Sequence, residues 1–255
     1  MKTQFLVVVA LVLGIKGLSQ GTIPVSDSLE QEAGNAALYP REVVVPIDST
    51  RYFSLSPISR WVGTVNGLVL GVGHFENRRI ACQQVNGLNL EITPMAAIVN
   101  VVAFNLPVEL LVSGIYEGPN AKLFFDSPDR TYIRVDGVNL SSGGFMGGAQ
   151  CRGVNISVLT FMNEMKGVSF SLEAFSATTF SGVSISGLGN ACEYGKGVQF
   201  AVSNLSRNHK GVQIGLFNNS KNLKGMQFGL WNTNGKRKLP FINWQFKEAV
   251  KKSKE

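Results

Sequence analysis

Acid–base or nucleophilic chemistry in this chain would have to start from two histidines, three cysteines, or carboxylates close enough to share a proton. The sequence scatters all three sets. His74 and His209 lie in different stretches, and each fills a place in an internal repeat that other copies fill with Asn, Leu223 or Met165, so each reads as a variable repeat residue before it reads as a general base. Glu164, Glu173 and Glu193 fall in three different units. Asp126 and Asp129 share the turn DSPDR, where aspartate is expected for local hydrogen bonding alone. Cys82, Cys151 and Cys192 are odd in number and far apart, with no CxxC and no paired histidines, so they read as small buried hydrophobes and not as zinc ligands or a disulfide framework. The run GGFMGG at 143–148 lacks the Lys-Ser/Thr ending of a phosphate loop and reads as a turn. These residues predict no catalytic group, no metal site and no cofactor, hence a protein that is not an enzyme.

The elements that would position any site are set by a repeat. Segments opening at Gly137, Gly153, Gly167, Gly182, Gly197, Gly211 and Gly225 read GVNLSSGG, GVNISVLT, GVSFSLEA, GVSISGLG, GVQFAVSN, GVQIGLFN and GMQFGLWN, at spacings of 16, 14, 15, 15, 14 and 14 residues. A period that short and that constant is a repeat architecture. Looser copies open at Gly67, Gly87 and Ile98. Within each unit apolar and polar residues alternate with a period of two, the pattern of a half-buried strand. On that reading Val212, Ile214 and Leu216 face the core, and Gln213 and Gly215 face away. The mostly apolar residues two before each glycine (Cys151, Met165, Phe180, Gly195, His209, Leu223) then have the wrong parity, which a bend at the glycine would correct.

Because every unit has the same polarity, the repeat predicts an all-β fold, a short-coil parallel β-solenoid of 14- to 16-residue repeats in which like positions stack. The alternatives are an antiparallel β-meander or an outer-membrane β-barrel. Against the barrel stand strands of about eight residues where ~9–11 are needed, the lack of an aromatic girdle, and a KKSKE ending. Stacking makes three further predictions. Asn204, Asn218 and Asn232, each seven residues after its glycine, form a side-chain amide ladder. The polar positions Asn139, Asn155, Ser169, Ser184, Gln199, Gln213 and Gln227 line up as an outward stripe suited to an extended partner, a polysaccharide or an envelope protein. Cys151 and Cys192, three coils apart, lie too far from each other for a disulfide.

The ends differ from the repeat. Residues 1–19, with Lys2, an apolar run from Phe5 to Leu13, and Gly17 and Ser19 before a cut, read as a secretory signal peptide. Residues 20–40 read as a mobile leader and 41–235 as the β-repeat domain, its clear repeats at 137–232 and its degenerate ones starting near 63. A hairpin insertion is expected at 115–136, with KLFF and TYIRV as its arms. Residues 236–255 form a basic cap or tail in which Phe241, Ile242, Trp244 and Phe246 cover the last coil, or else give peripheral contact with an anionic membrane. The formal charge of +7 sits in the signal segment and this tail, leaving residues 20–235 balanced, so the body offers no nucleic-acid-binding face.

The units GVQIGLFN and GMQFGLWN resemble the surface-repeat family of bacterial exported proteins, whose copies read approximately G-[LV]-Q-[LIF]-G-[LV]-x-N. The close match spans about 40 residues from Gly197 to just past Trp231; upstream units replace the second glycine and drop the asparagine. The resemblance implies a secreted or envelope-exposed protein; with no active site to assemble, the residues read as a non-enzymatic exported surface-repeat scaffold in the periplasm, outer membrane or cell surface, the alternatives being an outer-membrane β-barrel protein and a carbohydrate-active enzyme. The family carries no catalytic residue that could be transferred here.

Overall fold

The computed structural model describes residues 49–56, 62–72, 82–92, 131–145 and 148–246. The signal and leader segments, His74, Asp126, Asp129, the copy at Ile98, KLFF and the last nine residues lie outside the described residues. Nine strands follow in order: β1 (Thr50–Ser56), β2 (Thr64–Gly71), β3 (Gln83–Glu91), β4 (Ile133–Ser141), β5 (Ala149–Ser186), β6 (Gly189–Phe200), β7 (Ser203–Ile214), β8 (Phe217–Asn234) and β9 (Lys238–Gln245). They form one sheet in sequence order, each strand hydrogen-bonded to the next. All pairs from β1 to β8 are parallel, and only β9 runs antiparallel, against β8.

A parallel neighbour requires the chain to travel back to its starting side before each new strand. Here that return is a coil, and the protein is a parallel β-solenoid, which excludes the antiparallel meander and the barrel. Register is glycine on glycine: Gly67, Gly87, Gly137 and Gly153 pair in succession, as do Gly182, Gly197, Gly211 and Gly225. Gly211 shows why no other residue serves. Its φ is +138°, and a Cβ there would lie 2.0 Å from the carbonyl oxygen of Gly197 in the coil below. The backbones stack without side chains between them.

The interior takes the residues two before and two after each glycine. Before it stand Val65, Val85, Val135, Cys151, Met165, Phe180, His209 and Leu223, all buried. After it stand Val69, Asn89, Asn139, Asn155, Ser169, Ser184, Gln199, Gln213 and Gln227, every one at 0% exposure. Parity therefore runs straight through the glycine, and the expected bend does not occur. The residues one, three and five after the glycine face out, so Leu216 is exposed, not a core residue, while Gln213 is inside. The core is graded along the axis. From Val62 to Cys192 it is a hydrophobic cluster, with Phe175 and Phe180 edge to face at 5.7 Å; beyond Cys192 it is built largely from side-chain amides.

Two further expectations change. Ile133 to Val135 of TYIRV begin β4, paired in parallel with β3 and β5, so they are part of a coil and not a hairpin arm. At the far end β9 covers the last coil by backbone pairing, but Phe241, Ile242, Trp244 and Phe246 point outward; the inward residue is Asn243.

Candidate functional site

The polar residues expected on an outer stripe are instead the solenoid's internal framework. Asn89 donates to Asn139 and Asn139 to Asn155, both at 2.7 Å, and Asn155 donates to Ser169 at 3.0 Å. In the last coils Gln213 donates to Gln199 and Gln227 to Gln213, each at 2.8 Å, and Asn243 of β9 donates to Gln227 at 3.1 Å. Asn155, Ser169, Ser184, Gln199, Gln213 and Gln227 are thus brought together in one file, out of reach of any external partner. The physical reason is stacking: at a repeat of ~4.8 Å an amide matches the amide above it as donor to acceptor, so the interior satisfies groups that would otherwise be costly to bury.

A second file turns the corner. Asn190 donates to Asn204 at 3.0 Å, Asn204 to Asn218 at 2.8 Å and Asn218 to Asn232 at 2.8 Å. Asn204 and Asn218 also donate to the carbonyls of Ile214 and Phe228 in the next coil, at 2.9 and 2.8 Å, which ties each bend to its neighbour. Ser184 Oγ donates to Asn190 Oδ1 at 2.6 Å and so joins the two files.

The titratable groups inside are held inert. His209 is 1% exposed, neither ring nitrogen holds a hydrogen bond of normal geometry, and burial pushes its pKa down to about 4, with the backbone at Val212 and Gly197 opposing. Its ring occupies the space above Gly195, where a Cβ would lie 2.6 Å from Nδ1. Burial pushes the thiols of Cys151 and Cys192 up to about 12, and none of the three cysteines is in a disulfide. Glu164 pairs with Lys166 and Glu193 with Arg207, on different coils. Among the described residues no three histidines, cysteines or carboxylates are grouped to hold a metal, and no helix is long and apolar enough to cross a membrane.

The regular feature left is the outward face of the strands. One, three and five residues after successive glycines stand apolar side chains: Leu70, Leu140, Ile156, Phe170 and Phe200 in the middle row, and Ile92, Leu172, Leu216 and Leu230 in the outer one, with Leu172 73% exposed. Between these rows runs an open groove of ≈ 970 Å³ whose floor is small residues such as Ser171, Ala201 and Gly215. The row one residue before the glycines, on the other flank of the apolar rows, is basic from Arg152 onward apart from Ser181, after Asn66, Asn86 and Asp136 in the first coils. Lys196, Lys210 and Lys224 stack in register, and Arg152 and Lys166 hold the same position in earlier coils. At ~4.8 Å per coil two unit charges repel by about 1 kcal/mol even in water. Arg152 lies 4.0 Å from Asp136 and Lys166 pairs with Glu164; no ion pair is present for Lys196 or Lys210 among the described residues. Arg237 and Trp244 extend the surface over β9, the guanidinium 4.6 Å from the ring centroid.

Sequence reasoning missed this face, yet a signal for it was available. Lys196, Lys210 and Lys224 share parity with the residues one and three after the glycine, so an outward lysine carries those apolar residues outward with it. No protein-family model, curated protein or solved structure matches the chain.

Proposed function

We propose that this protein is an exported, non-enzymatic repeat scaffold of the cell envelope, acting through the outer surface of its solenoid. The observation that carries the reading is how the polar chemistry of the repeat is used: its Asn, Gln and Ser side chains are spent on internal ladders, while the regular, accessible pattern outside is apolar with one basic flank. Such a surface recognises by area and charge, not by bond making. The signal-like segment at 1–19 and the resemblance to exported surface repeats support a place beyond the cytoplasm. The expected polysaccharide or envelope-protein partner, read from a polar stripe, loses that stripe as its docking site.

Cell fractionation with N-terminal sequencing tests this reading. A chain shortened by about 19 residues and recovered with the envelope is the expected result. Full-length protein in the cytoplasm would contradict it.

A further inference from the structure

The outer face is a long apolar patch that repeats coil by coil. Nine stacked glycines mark its length, about 38 Å at ~4.8 Å per step. The rows one to five residues after the glycine span about 13 Å, for an area on the order of 500 Å², at the top of the range for the largest patch on a monomer. Two possible occupants satisfy the apolar rows: a second copy or a lipid surface. They differ in what they do for the lysines. In a face-to-face pair centred on the apolar rows and keeping the coils parallel, each basic row lies at the rim, away from its counterpart; with the coils antiparallel about the run from Arg152 to Lys224, basic residues meet basic residues. A bilayer bearing anionic headgroups takes the apolar rows at its acyl boundary and pairs the whole basic flank at once, the ammonium groups reaching outward on their aliphatic stems.

We therefore infer that the outer face of the solenoid docks flat on an anionic lipid bilayer, the Phe170, Leu172, Phe200, Leu216 and Leu230 rows entering the interface and Lys196, Lys210 and Lys224 contacting lipid phosphates. This rests on the scaffold reading above and names its partner. The same face carries exposed Trp244, paired with Met226, at one end, where an indole ring favours the headgroup boundary. Charge alone does not make the site: the lysines would repel one another at this spacing, and a counter-charged sheet of headgroups removes that cost along the whole row.

The test is flotation of the purified chain with vesicles of equal parts phosphatidylglycerol and phosphatidylcholine, beside vesicles of phosphatidylcholine alone, with sedimentation to read oligomeric state. The chain is expected to float as a monomer with the anionic vesicles and far more weakly with the neutral ones. Lys196→Gln with Lys210→Gln should weaken anionic binding roughly 25-fold, about fivefold per lysine. Leu172→Ser, Leu216→Ser and Leu230→Ser together should lower it more than tenfold. These side chains point out, so circular dichroism and the thermal midpoint should match the parent. Absence of flotation overturns the inference. So does a concentration-dependent dimer that the leucine changes dissolve, or binding that ignores both sets and disappears on removing residues 247–255, which would assign contact to the tail. None of these results moves the protein to the cytoplasm, so failure here is separate from failure of the scaffold reading.

Discussion

At the residue scale the protein places amides where most folds place hydrocarbon. A buried amide is tolerated only when its donors and acceptor are met, and Gln213 shows the arrangement complete: it donates to Gln199 and to Ser206, at 2.8 and 3.1 Å, and accepts from Gln227. Gln213→Ala should therefore cost about 2 kcal/mol of stability by leaving Gln199 without its donor and opening a void. Urea unfolding measures this, and an unchanged midpoint would show that the ladder contributes nothing. His209 makes a pH-dependent prediction. Its folded pKa of about 4 lies below the ordinary 6.5, so between these values the unfolded chain holds a proton that the folded one does not. Stability from this group is complete above pH 6.5 and is lost as pH falls toward 4, up to about 3 kcal/mol. His209→Leu, the residue type that Leu223 supplies in the next coil, should remove that slope in thermal melts at pH 5 and pH 8.

At the scale of the element, each coil stacks on the next through its glycine, and the C-terminal coils turn on a corner amide, Asn190, Asn204, Asn218 or Asn232. Gly211→Ala would drive a methyl group into the Gly197 carbonyl at 2.0 Å while forcing φ of +138° on a side chain, a loss of at least about 3 kcal/mol. Failure of the variant to fold, or a large drop in melting temperature, is the expected outcome; a melting temperature within a degree or two of the parent would contradict the stacked geometry. This level was largely legible in the sequence. Glycines at a constant period, with Asn204, Asn218 and Asn232 held at one offset, read directly as like stacking on like. The orientation of the strand was not legible from hydrophobic alternation alone, because Val212 and Ile214 look like core residues by type. Burial went to Gln213, since the stack satisfies its amide. Sequence hydrophobicity says that Val212 would gain by burial, but it does not say that Gln213 loses nothing by it. The charged Lys210, fixed in parity with Val212, was the better guide.

At the scale of the whole molecule, a solenoid is close to one-dimensional: each coil contacts its neighbours, and the array tolerates changes in units of one repeat. Removing residues 197–210 takes out one 14-residue coil and joins the chain in register, since the residues on either side of the cut already stack on one another's equivalents. That deletion should keep a cooperative β-rich fold by circular dichroism with a modest loss of stability, whereas removing 197–203 breaks register and should unfold the C-terminal coils. The axis also explains where an end must differ. β9 reverses direction, closes the exposed edge of β8 and inserts Asn243 under Gln227, so the ladder ends on a hydrogen bond instead of an orphan amide. The nature of the outer surface was the part least determined by the repeat, because stacking of like on like does not set what meets the outside of the stack.

The claim on which the account turns is that amides face in and aliphatic side chains face out. Thiol labelling in the purified native chain tests it most directly, with Cys82→Ser as background and a single new cysteine at Gln213→Cys or Leu216→Cys. Cysteine at 216 should react with a water-soluble maleimide as fast as in the unfolded chain, and cysteine at 213 should stay protected until denaturant is added. Fast labelling at 213 with protection at 216 would reverse the solenoid's inside and outside and contradict the account.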